Sequence, residues 1–136
     1  MDDVVLNKAA VIERCVHRVR EEYADDDRNL TDDVTKQDAI VLNIQRACKA
    51  AIDLGMHLVR RGRLGLPQDS REAFDLLQRA GTIDADLCEP LKRMVGFRNV
   101  AVHDYESLNL DIVRAIIASH LDQLLRFARL AIERTA

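Results

Sequence analysis

Six apolar residues near the start of the chain, Val5, Ala9, Ile12, Val16, Val19 and Tyr23, recur at 4-3-4-3-4 spacing. Such positions line up on one face only in an α-helix, where about 3.6 residues make a turn. A stripe that long must be buried against other helices, so the spacing predicts an all-α protein. Composition points the same way. Of 136 residues 48% are hydrophobic but only 4% aromatic, with 5 Gly and 2 Pro, a mixture suited to a helical bundle. A chain of this length is expected to make one domain, residues 1–136, whose core needs neither disulfides nor metal.

The run Asp25-Asp26-Asp27-Arg28-Asn29 interrupts the first helix and reads as solvated charge. A second helix is predicted from about Thr31 to Arg61. Its apolar residues Ile40, Val41, Leu42, Ile44, Cys48, Ile52, Leu54, Met56, Leu58 and Val59 spread over more than half of the circumference, which calls for cover on two sides. The bundle supplies one cover and a second subunit is expected to supply the other. The remaining stripe, Arg46, Lys49, Asp53, His57 and Arg60, is either a solvated strip with an Asp53–His57 pair one turn apart or the border of a phosphate-binding cleft. Gly62, Gly65 and Pro67 then break the chain.

Asp69-x-x-Glu72 is a capping box that opens a short helix through Ala80, ended by Gly81. Asp86-x-x-Glu89 reads as a second box. It starts a helix carrying Leu91, Met94, Val95 and Val102, with Pro90 in the first turn. The last helix is predicted from about Asn109 to Arg134, with Val113, Ile117, His120, Leu124, Phe127 and Ala131 on one face. The expected architecture is an up-and-down bundle of four main helices plus one short helix.

The net charge of −3 gives no overall attraction to nucleic acid, so any phosphate contact must come from a local cluster; 16 Arg against 4 Lys could supply one. Cys15, Cys48 and Cys88 are far apart and read as buried thiols. No Cys or His spacing suggests a metal site, and no run approaches the ~18 apolar residues of a membrane span. Asp2 and Asp3 stand where a signal peptide would be basic. A reduced, cytoplasmic protein without membrane contact is expected.

The stretch Arg98-Asn-Val-Ala-Val-His103-Asp-Tyr105 carries the chemistry. Arginine is always charged and holds two phosphate oxygens at once. Histidine alone titrates near neutrality and can both take and give a proton. His103 lies where the apolar pattern gives way to Asp104, Glu106 and Ser107, at a helix end. His120 falls in an apolar stripe, and His17 lies off the first seam. If the helix runs on unbroken, Arg98 and Tyr105 share a face and His103 stands about 140° from the arginine. If it ends near Asn99, a loop can fold His103 back.

The helical layout, the segment Met94-Val95-Gly96-Phe97-Arg98-Asn99 and the following His103-x-Tyr105 resemble the HEPN superfamily, in particular its HepT-type toxins. Gln37-Asp38-Ala39-Ile40 and Ala51-Ile52-Asp53 extend the likeness. The resemblance implies a metal-independent endoribonuclease that needs no cofactor and works as a homodimer, with both motifs facing one cleft. It implies Arg98 and His103 as catalytic residues, with Asn99 and Asp104 supporting them. It also implies a partner nucleotidyltransferase antitoxin of the MntA type that silences the toxin by transferring AMP to Tyr105. Chemistry agrees, since RNA carries its own nucleophile in the 2′-hydroxyl and needs only a base, an acid and positive charge. Two other readings remain: a non-catalytic helical partner of a nucleotidyltransferase that presents Tyr105, and phosphate or nucleotide binding without cleavage.

Overall fold

Aspartates start three of the four main helices and the short one. In the computed structural model, which describes residues 1–136, Asp2 caps α1 (Asp3–Tyr23) by accepting from the backbone N–H groups of Val4 and Val5. After α2 (Arg28–Thr31), Asp33 caps α3 (Val34–Gly62) through Lys36 N–H. Asp69 caps α4 (Ser70–Arg79) through Glu72 N–H, and Asp84 caps α5 (Ala85–His103) through Leu87 N–H. Each such bond satisfies a donor that the helix cannot, for roughly 0.5–2 kcal/mol. A 3₁₀ turn, Tyr105–Ser107, follows α5; α6 (Leu110–Ala115), capped by Asn109, then leads through a π turn, Ile116–His120, into α7 (Leu121–Thr135).

The cap of α5 corrects one expectation. Asp84, not Asp86, accepts the N-terminal bond, so the helix begins two residues earlier than the second capping box implies. Pro90 therefore lies in the second turn, where it cannot donate to the Asp86 carbonyl. The helix nevertheless continues through Pro90, which is buried. Val102, assigned to the core face, is 41% exposed; Phe97 and Ala101 are buried instead.

Ion pairs give the helix directions. Lys36 at the start of α3 meets Glu22 at the end of α1, and Asp2 at the start of α1 meets Arg61 at the end of α3. Arg20 at the end of α1 pairs with Asp122 at the start of α7, and Arg126 of α7 with Asp84 before α5. Neighbouring helices thus run antiparallel, as in an up-and-down bundle.

One cluster of 36 buried residues forms the core. The first seam behaves as its spacing requires: Val5, Ala9, Ile12, Val16 and Val19 are each at most 1% exposed. Phe74 of α4 meets Phe127 of α7 edge to face, with centroids 5.7 Å apart. Within one chain α1, α4, α5 and α7 all pack on α3, and Ile40, Val41, Ile44, Cys48, Ile52, Leu54, Leu58 and Val59 are all buried. Most of its cover comes from the bundle, because α3 is the central helix, while Leu42 stays 41% exposed and Met56 partly exposed.

Two further expectations are revised by packing. The acidic run after α1 is more than solvated charge. It folds into α2, which buries Leu30 completely, while Asp27 accepts from Tyr23 (3.1 Å) and Arg114 (2.8 Å). In the last segment the π turn inserts one residue into the helical register. The buried series becomes Val113, Ile116, Leu121, Leu124, Phe127 and Ala131. Ile117 and His120, both assigned to the core stripe, rotate to partly exposed positions.

Candidate active site

α5 runs unbroken through His103 and then stops, because Asp104 leaves helical geometry (φ −153°, ψ 66°). Neither simple alternative for the motif holds. Arg98 and His103 are five helical residues apart, about 140° around the axis and about 7.5 Å along it, and no hydrogen bond or ion pair joins them. Tyr105 lies beyond the helix and does not share a face with Arg98.

Arg98 turns toward α1 and α3. Its Nε is buried and finds no acceptor in the protein, and its side chain lines a cleft of about 540 Å³. Around that cleft stand Lys8, Arg14 and Arg18 of α1 and Arg46, Lys49 and Asp53 of α3. Six cations, with Arg98, thus face one carboxylate, in a chain whose net charge is −3. Asp53 holds Lys49 (2.6 Å) and Lys8 (3.4 Å), and Arg18 lies near Glu21 and Glu22. Arg14, Arg46 and Arg98 have no carboxylate partner. Such a concentration of unneutralised arginine attracts phosphate.

Of the polar stripe on α3, Arg46, Lys49 and Asp53 border this cleft, but the Asp53–His57 pair does not form. His57 instead takes Asp2, with Nε2 2.7 Å from the carboxylate, and Arg61 joins them at 2.9 Å. Nothing in the helical spacing around His57 could announce a partner fifty-five residues away. The α1 cations were also missed, although Lys8, Val11, Cys15 and Arg18 follow the 3-4-3 spacing of one helical face.

His103 sits at the C-terminal end of α5, exposed and without a hydrogen-bond partner, outside the cleft that holds Arg98. Asn99 is exposed. Asp104 ends α5, its N–H donating to Val100 O (2.8 Å), and opens the 3₁₀ turn, its carboxylate accepting from Ser107 (2.6 Å). Tyr105 is 39% exposed, and its hydroxyl donates to Asp38 of α3 at 2.7 Å. Burial first, and the adjacent Asp38 carboxylate second, push its phenol up to about 12.

The family model described as ribonuclease HepT-like matches residues 12–131. The chain belongs to this HepT-like family. It is 45% identical over 127 residues to the mRNA nuclease HepT of Shewanella oneidensis, spanning 93% of this chain and 95% of that protein. The structure of a tri-AMPylated Shewanella oneidensis HEPN toxin in complex with MNT antitoxin matches with a TM-score of 0.89 at 44% identity, over 96% of this chain and 97% of that one. A toxin–antitoxin with AMP-PNP matches with a TM-score of 0.89 at 43% identity, over 95% of this chain and 97% of that one.

The remaining candidates for chemistry in this HepT-like chain are accounted for by packing. All three cysteines are buried, and burial raises each thiol, Cys48 to about 12. They are therefore poor nucleophiles at neutral pH. His17 is exposed near Glu21 at 3.7 Å, and His120 pairs with Gln123 at 2.6 Å. No three His, Cys, Asp or Glu side chains converge as a metal site, and no helix is long and apolar enough to cross a membrane.

Proposed function

We propose that this HepT-like chain is an endoribonuclease toxin that cuts RNA without a metal ion. The observation that carries the proposal is Arg98, a half-buried guanidinium without a carboxylate partner, projecting into a cleft of like charge. Such a site is costly to a folded protein and useful only to an anionic ligand. The RNA 2′-hydroxyl attacks its own phosphodiester. Arg98 stabilises the charge that builds on the crowded phosphorus, and His103 moves the protons, with Asn99 and Asp104 in support.

One chain holds Arg98 and His103 on different sides of α5. A homodimer resolves this: a two-fold axis running through one shared cleft supplies two arginines and two histidines, enough for a separate base and acid. Exposed Val100, Val102 and Ile112, at 40%, 41% and 50%, offer apolar surface for that contact beside the motif. With 4% aromatic residues there is little to stack on bases, so RNA is held mainly by its phosphates and shape.

By likeness to the tri-AMPylated Shewanella toxin, Tyr105 is the residue modified, by an MntA-type nucleotidyltransferase antitoxin in the same cytoplasm. AMP there adds a bulky anion next to the site and blocks RNA by size and charge. The test is cleavage of total RNA by pure, unmodified protein in EDTA. Wild type should cut. His103→Ala should not, while melting at the same temperature because the side chain is exposed and unbonded. Cleavage by His103→Ala at the wild-type rate would move the acid–base group elsewhere, and cleavage only with added divalent ion would end the metal-free mechanism.

A further inference from the structure

We propose that Asp38 is the general base for modification of Tyr105, taking the phenolic proton as the nucleotide is transferred. The proposal rests on Tyr105 being the modified residue, and adds a group on another helix to that reaction.

The geometry is specific. Asp38 lies in the second turn of α3, and the 3₁₀ turn after α5 brings Tyr105 against it, so that the hydroxyl donates to Asp38 Oδ1 at 2.7 Å across a sequence separation of 67. The ring borders a shallow groove with Gln37, Val41 and Leu108, which leaves the oxygen at the surface within reach of a transferase. The molecule holds its own comparison. Tyr23 also donates to an aspartate, Asp27, at 3.1 Å, but that carboxylate is neutralised by Arg114 at 2.8 Å. Asp38 has no cation, and Tyr105 is its only side-chain partner. A carboxylate free of counter-charge and aimed at a phenol is placed to accept its proton.

A base is needed because the phenol is a poor nucleophile while protonated, and this one is held protonated well above neutral pH. In the transfer, the phenolic oxygen forms a bond to the α-phosphorus of a nucleoside triphosphate. The bond from that phosphorus to the bridging oxygen breaks, pyrophosphate leaves with the electron pair, and the phenolic proton passes to Asp38. Asparagine at this position keeps an acceptor oxygen and the tether, yet cannot accept the proton. A purely structural role would therefore be preserved by Asp38→Asn, and a base would not.

The experiment uses the full chain bound to the antitoxin of its own locus, mixed with Mg-ATP in single turnover and followed by intact mass and peptide mapping. Asp38→Asn should slow AMP transfer about 100-fold, the range of a lost general base, while binding the antitoxin with unchanged affinity. Asp38→Ala should be equally slow, and added formate or acetate should restore much of its rate. Transfer to Asp38→Asn at the wild-type rate, or Asp38→Ala unmoved by formate, would overturn the role of Asp38 while leaving Tyr105 as the target. AMP mapped in the wild type to a residue other than Tyr105 would overturn both.

Discussion

Replacing Arg98 by methionine should make the protein more stable and less active at once. The change keeps an unbranched stem of similar reach and removes the guanidinium. In the folded chain Nε is buried without an acceptor, and a buried unmet donor costs about 1–3 kcal/mol. Loss of one of six clustered cations acts in the same direction. Because Arg98 is only partly buried, the lower half of that range applies, about 1–2 kcal/mol. An unfolding entropy of about 2.1 cal/mol/K per residue turns this into a rise of about 3–7 °C in Tm for a chain of 136 residues. Cleavage should fall about 100-fold or more, as when a preorganised oxyanion donor is removed. Thermal melts followed by circular dichroism at 222 nm, beside RNA cleavage in EDTA, read both quantities from one preparation. Arg46→Met is the control: it removes a cation of the same cluster from an exposed side chain with no buried unmet donor, so its Tm should rise less than that of Arg98→Met. Arg98→Lys should regain part of the cleavage, lacking only the two-pronged grip. A drop in Tm for Arg98→Met would refute the reasoning, because it would mean that the guanidinium serves the fold.

Three other outcomes follow from particular contacts. Leu121→Ala, at a side chain with no exposure, should cost about 2–5 kcal/mol, whereas His120→Ala should cost under about 1 kcal/mol; urea titrations giving the reverse order would show that the π turn is absent. The Asp2 carboxyl is held well below its ordinary 3.8, chiefly by His57 and further by Val5 N–H and Arg61 against the opposing effect of burial. A depressed folded value gives stability that is present above the unfolded value and is lost progressively as pH falls from there through the folded value. Tm should therefore hold above about pH 5 and decline below about pH 4, and Asp2→Asn should flatten that decline; an unchanged slope would remove Asp2 as its source. Finally, in a Tyr23→Phe background, Asp38→Ala should bring the ultraviolet titration of Tyr105 down from about 12 part of the way to the ordinary 10.0, since burial, the larger cause, remains.

The four long helices were readable because helical periodicity is a local property: the residues of the α1 seam share a face whatever else the chain does. The motif was visible for a similar reason, since Arg98, His103 and Tyr105 stand within eight residues of one another in the sequence. Which way they point was not. That depends on where α5 stops and which helices pack beside it, and the structure sends Arg98 to the α1–α3 cleft, His103 to solvent and Tyr105 to Asp38. The same limit applies to α3 and to the last helix. An apolar spread tells how much cover a helix needs but not whether it comes from four neighbours in one chain or from a second copy. A five-residue turn at Ile116–His120 shifts every later position by one, a choice made by packing against the core and not by local propensity. Partners such as Asp2 with His57, Tyr105 with Asp38 and Arg114 with Asp27 lie 55, 67 and 87 residues apart, and only the crossing of folded helices brings them within reach.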